Sequence, residues 1–197
     1  MLGVQRTRWS AHVNKRQGSN FLKAVSFADE MGRPLNTFVT LNLHHTPCPP
    51  EAVSAAFERL RDNHFTRWLR HRSKTSRGGF GPPAYVWCVE NASGHTHVHW
   101  LVHVPKPLRR AFEERLPRWV EAVAGAVHSA ANAIHVEPAD RPSGLARYMM
   151  KGIHPGVAKF YKIDHVAQGR VQGKRCGISE SLGPAAQSRW RAQRQAA

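Results

Sequence analysis

The chain of 197 residues has little cysteine: Cys48, Cys88 and Cys176 only. They are odd in number and far apart, and no CxxC pair occurs. That excludes a disulfide framework and a cysteine-based zinc site. Acidic residues are scarce as well, with 13 Asp+Glu against 29 Lys+Arg and a formal net charge of +16. Such a field attracts polyanions, nucleic acid first and an anionic membrane second. The membrane reading falls away because no stretch approaches the roughly 20 apolar residues that span a bilayer. The opening MLGVQRTRWSAHVNKRQ has no apolar segment of the signal-peptide kind, so a cytoplasmic location is expected. There is no internal repeat. The length suits one domain with a tail, on a prior of roughly 100–200 residues per domain, and leaves no room for a separate motor domain.

What is present is an alternation of strand and helix signals. Residues 1–33 are polar and basic and are expected to form a basic N-terminal arm. Asn36–Leu43 (NTFVTLNL) is a strand by its β-branched and aromatic content, stopped by the prolines at 47, 49 and 50. Val53, Ala56, Phe57, Leu60 and Trp68 then recur at helical spacing. Ala84–Glu90 and His95–Val104 are two strands joined by a hairpin at NASG. Leu108, Phe112, Leu116, Trp119, Val120, Val123 and Val127 share one helix face. Ala133–Val136 is a short strand and Ser143–Lys151 a helix. From Arg141 onward 11 Lys/Arg stand against two acids, Asp164 and Glu180, and residues 156–197 read as a basic, Gly-rich tail. The order β-α-β-β-α-β-α predicts an α+β fold: a central antiparallel sheet with helices on one face, ferredoxin-like or RRM-like. Trp68, Trp87, Trp100 and Trp119 are candidate core.

The second strand of the hairpin has a chemical pattern. His95, His97, His99 and His103 are all odd, so their side chains share one face of a strand. The even positions, Val98, Trp100, Val102 and Val104, are all apolar. The imidazole face must therefore meet solvent, a metal or a ligand. A two-residue Ser93-Gly94 turn sets Glu90 opposite His97, and a four-residue turn sets it opposite His95. Either register puts the carboxylate on the imidazole face. Two imidazoles and a carboxylate would leave open positions on a divalent ion, as a catalytic site requires.

Tyr148 and Lys151 are three apart and share a helix face. A phenol can attack phosphorus, and a nearby ammonium can pair with phosphate oxygens. With these residues in view, the chain resembles the HUH endonucleases of rolling-circle replication initiators. TFVTLNL resembles their first motif. GHTHVHWLVHV resembles the second, with His97-Val98-His99 as His-hydrophobic-His. ARYMMKG resembles the third. The likeness spans about residues 36–152, so residues 34–155 become the expected nicking and joining domain.

The resemblance implies Mg²⁺ or Mn²⁺ held by His97, His99 and Glu90, with His95 as the rival third ligand. It implies Tyr148 as the nucleophile and Lys151 as the group that positions the phosphate. The substrate would be single-stranded DNA or a hairpin origin, cut through a 5′-phosphotyrosine. Asn42, His44, Arg147, Lys174 and Arg175 are candidate DNA contacts. Met149, Met150 and Gly152 follow the tyrosine, which reads as a single-tyrosine enzyme, with Tyr161 the rival second nucleophile. Strand separation and synthesis would fall to a host helicase and polymerase. Glu137 and Asp140, before the tyrosine helix, are candidates for a second metal or a proton acceptor, and His103 for a groove contact. Two alternatives stay open. One is a transposase or relaxase with the same chemistry. The other is a non-catalytic nucleic-acid binder on an RRM-like sheet, which would stack bases on exposed aromatics.

Overall fold

A computed structural model describes residues 8–77, 79–128 and 133–196. Seven strands are formed among them: β1 (Trp9–Ser10), β2 (Thr37–Leu41), β3 (Tyr85–Ala92), β4 (His95–Val102), β5 (Ile134–Pro138), β6 (Val171–Gln172) and β7 (Cys176–Ile178). The longer helices are α1 (Lys15–Glu30), α2 (Val53–Arg59), α3 (Arg67–Lys74) and α4 (Arg109–Ala124). After β5 come α5 (Pro142–Met149), the single turn α6 (Pro155–Ala158) and α7 (Pro184–Gln195). A π-helical stretch, Leu60–Thr66, joins α2 to α3.

The main sheet runs β5-β2-β4-β3-β7, and every neighbouring pair is antiparallel. Without β7, this is the strand order of a ferredoxin-like β-α-β-β-α-β unit, as the sequence predicts. Each β-α-β connection carries the chain over one face and returns it in the same direction with one strand between, β4 between β2 and β3, and β2 between β4 and β5. The hairpin turn is the two-residue one. Ser93 and Gly94 both have positive φ, 53° and 78°, as the twist of adjoining strands prefers.

Both faces of this sheet are covered, not the single face expected. On one side Val39, Leu41, Trp87, Val89, Val98, Trp100 and Val102 pack with Phe57, Phe65, Leu69, Phe112 and Leu116 from α2 to α4. On the other, Phe38, Val86, Cys88 and Leu101 pack with Phe21, Val25 and Ala28 of α1 and with Ala146 and Met149 of α5. The reason is α1. The segment read as an arm contains a 16-residue helix, capped by Asn14 and Gln17 in a reciprocal capping box. Gly18 lets it close on the chain after α5, since a Cβ there would lie 2.6 Å from the Ile153 side chain. Residues 1–7 of the expected arm lie outside the described residues.

The expected tail is also built into the fold. β7 pairs with β3, setting Cys176 against Cys88. Trp190 of α7 packs edge-on against Phe27 of α1 at 6.2 Å. No described helix is long and apolar enough to cross a membrane.

Candidate active site

The site is laid out in rows across the open part of the second face. Glu90 is directly opposite His97. The next row is His135, Thr40, His99 and Cys88, and the one after it includes Glu137, Phe38 and Leu101. Opposed residues share a face, so the even-length hairpin turn puts Glu90 with the imidazoles. α5 crosses this face. Its Ala146 and Met149 are fully buried while Tyr148 remains 49% exposed. The tyrosine ring stands edge-on to His99, with centroids 5.3 Å apart.

Glu90, His97 and His99 each offer a ligand atom, and the three atoms lie within 4.8 Å of one another. Glu90 is fully buried, yet three basic groups converge on its Oε2. Lys151 Nζ is at 2.9 Å, His97 Nε2 at 3.0 Å and His99 Nε2 at 3.7 Å. Burial by itself would raise the Glu90 carboxyl. The hydrogen bond from His97 and the attraction of His99 and Lys151 outweigh it and hold the group well below the usual carboxylate range. Burial lowers the His99 imidazole, and the attraction of Glu90 offsets this only in part, so His99 favours the neutral form that ligates metals. Burial would lower the Lys151 ammonium, but Tyr148 and Glu90 raise it above its ordinary value.

The ring orientations are set from behind. His97 Nδ1 lies 3.0 Å from the His95 carbonyl, and His99 Nδ1 lies 3.1 Å from Thr40 Oγ1. Both rings therefore turn Nε2 towards Glu90, as ligating histidines are held by their second nitrogen. Phe38 stacks on His99 at 5.3 Å with 17° between the planes. Two buried atoms here lack a hydrogen-bond partner, Glu90 Oε1 and His99 Nε2. Orphaned polar atoms at this depth are costly, and a divalent cation would satisfy both. One carboxylate and two imidazoles suit such an ion with positions left open. The residues fit a metal.

Lys151 closes the arrangement. It lies just past the end of α5, where its N–H donates to the Tyr148 carbonyl at 3.1 Å. Its ammonium stands 3.9 Å from the centre of the Tyr148 ring. One cation thus spans the carboxylate and the phenol. In front lies an open cavity of about 570 Å³ lined by Phe38, Thr40, Asn42, His97, His99, His135, Glu137, Leu145 and Tyr148.

The other expected site residues divide. Asn42 lines the cavity. His95 is exposed and outside the Glu90, His97 and His99 group. It lies 5.1 Å from the ring of His44, which also contacts His45 at 4.1 Å. Arg147 is exposed, and its guanidinium donates to the Tyr161 carbonyl. The Tyr161 hydroxyl donates to the Lys15 carbonyl at 3.1 Å, away from the group around Glu90. Glu137 lines the cavity but Asp140 does not. His103 Nδ1 lies 2.8 Å from the Pro34 carbonyl and has a structural partner.

Two expected DNA contacts are placed elsewhere. Lys174 lines a different cavity with Arg61, Asp62 and Arg189, and its carbonyl accepts from Ser54 at 2.9 Å. Arg175 is 2% exposed, and its guanidinium donates to the carbonyls of Ser10, Gln168, Gly169 and Val89. Both terminal nitrogens are committed to these carbonyls, so the side chain stitches three segments together in the interior and does not face solvent. Sequence reasoning missed Thr40, Phe38 and His135. The signal was the period-two alternation of β2 and β5, which puts all three on the imidazole face.

No protein-family model matches the chain, and no curated protein matches it significantly.

Proposed function

We propose that the protein is a metal-dependent nickase and strand-transferase of single-stranded DNA, of the HUH type, acting through Tyr148. One observation carries the reading. A half-exposed tyrosine stands against a buried Glu-His-His group, with a lysine spanning the two. Glu90, His97 and His99 would hold a divalent ion, Mg²⁺ or Mn²⁺, which when bound supplies charge to polarise a phosphate.

The chain's own residues do the rest. Thr40 and the His95 carbonyl orient the two imidazoles. Lys151 stabilises negative charge at the Tyr148 oxygen and on the phosphate beside it. Tyr148 Oη attacks phosphorus, and the bond from phosphorus to the 3′ oxygen breaks. The phenolic proton passes to water, and the departing oxygen takes one from water to become a 3′-hydroxyl. The 5′ end stays on the tyrosine as a phosphodiester, so attack by another 3′-hydroxyl rejoins strands. Nicking of this kind suits initiation of rolling-circle replication on a plasmid or phage-like element. A host helicase and polymerase would complete the cycle.

A transposase or relaxase would use the same site. The non-catalytic RRM-like reading is less favoured, because the sheet-face aromatic, Phe38, is 5% exposed and already stacked on His99.

The test is incubation of the full chain with Mn²⁺ and a randomised single-stranded DNA library containing hairpins, followed by mass spectrometry of DNA-linked peptides. The expected product is an adduct on Tyr148, absent from Tyr148→Phe and from His97→Ala/His99→Ala. Binding without any adduct would remove the nickase reading in favour of the non-catalytic one.

A further inference from the structure

Three large aromatic side chains among the described residues are about half exposed or more: Trp9 at 48%, Tyr148 at 49% and Phe160 at 72%. Each has a cation over its ring. Arg170 lies 5.4 Å from the centre of Trp9, Lys151 3.9 Å from Tyr148 and Lys15 5.0 Å from Phe160. Tyr148 is accounted for by the proposed chemistry. Phe160 and Trp9 are not, and apolar surface left in water contributes nothing to folding.

Neither ring hangs on a loose end. Phe160 sits between Ala158, whose carbonyl accepts from Ile163 at 3.1 Å, and Tyr161, whose ring packs edge-on at 4.9 Å. The Tyr161 hydroxyl is bonded to Lys15, and its carbonyl accepts from Arg147. Phe160 is thereby fastened to the residue that precedes Tyr148. Trp9 lies on β1, paired with Gln172 of β6. The Arg170 carbonyl accepts from the Asn91 amide at 3.0 Å, one residue beyond Glu90. So one aromatic-cation pair is tied to the tyrosine helix and the other to the histidine hairpin. Lys159 and Lys162 flank Phe160 along the chain and are exposed, as is Arg16 next to Lys15, and Asp164 is the one acid between residues 155 and 170.

We propose that Phe160 and Trp9 are stacking platforms for unpaired bases of the strand that reaches Tyr148, with Lys15 and Arg170 on the neighbouring phosphates. Aromatic faces with adjoining cations are how proteins hold single strands without reading sequence. The inference rests on the nickase reading for the strand these rings would hold. Phe160, Lys15, Trp9 and Arg170 are then the surface that selects a single strand over a duplex.

The test uses the full chain, fluorescein-labelled oligo(dT) and EDTA, so that binding is read without cleavage. Fluorescence anisotropy should show roughly tenfold weaker binding for Phe160→Ala and again for Trp9→Ala. Phe160→Trp should restore wild-type affinity, because an indole stacks as well. Lys15→Ala should also flatten the salt dependence. Thermal melts check that Trp9→Ala retains its fold, and Trp9→Phe serves where it does not. Unchanged oligo(dT) affinity in both Phe160→Ala and Trp9→Ala overturns the proposal, as does an equal loss on a blunt duplex. If wild type forms the Tyr148 adduct while those variants bind normally, the platforms fall and the nickase stands. If the variants lose binding and no adduct ever forms, the platforms stand on a non-catalytic single-strand binder.

Discussion

The two faces of strand β4 teach different things. On the even side Val98, Trp100 and Val102 are all fully buried, and helices close over them completely. On the odd side the strand changes character along its length. Leu101 is sealed under α1 with Phe38 and Val86, while His99 and His97 open onto a cavity beside Tyr148. One face holds the sheet in place by area removed from water. The other spends its polar end on a cluster that folding alone does not need. A buried carboxylate with three basic partners stabilises only if every partner is kept, which makes it a poor choice for simple stability.

That contrast can be broken by experiment. The largest expected effect is on the closed face: Trp100→Ala should cost about 3–5 kcal/mol in a urea or thermal melt. His97→Ala removes one of the three basic partners of the buried Glu90 and should cost about 1–3 kcal/mol, less than Trp100→Ala, yet abolish Mn²⁺ binding. Equal stability losses in the two variants would erase the distinction between a structural face and a chemical one.

A smaller effect separates two adjacent basic residues. Arg175→Ala should cost roughly 2–3 kcal/mol, since it leaves buried carbonyls without donors. Lys174→Ala should stay within about 0.5 kcal/mol. Denaturant melts of both variants decide this directly. A neutral Arg175→Ala would return that residue to the pool of phosphate contacts.

The smallest effect lies at the polar end itself. Lys151 Nζ and a divalent ion would compete for the same Glu90 oxygen, now 2.9 Å from the ammonium. Lys151→Met should therefore bind Mn²⁺ roughly tenfold more tightly by calorimetry, because a nearby like charge has been removed. Its metal-free form should be less stable, with the loss recovered on adding Mn²⁺. Weaker Mn²⁺ binding in Lys151→Met would mean that the lysine supports the site as a whole and does not compete at Glu90.

How far the site could be read in advance depends on the range of the interactions. The period of two in His95–His99 and the even hairpin turn are local, so the pairing of Glu90 with His97 was foreseeable to within two registers. The capping residues Asn14 and Gln17 are also a local signal, and they mark α1 in a segment that its polar composition presents as an arm. Arg175 has no such signal. Beside Lys174 it looks like another surface cation, and only the meeting of Ser10, Val89 and Gln168 around it makes it a buried donor.

By itself the sequence determined the sidedness of the histidine strand, the order of elements and the strand order that follows from it. These rest on alternation, turn length and connection handedness, which act over a few residues or one crossover. Only the tertiary structure decided that α1 and β7 complete the fold, that helices cover both faces, and that Lys151 reaches back to Glu90 across Tyr148. Those outcomes depend on how α5 docks against α1 and the sheet. Docking is settled by packing between segments far apart in the chain, such as Gly18 against Ile153.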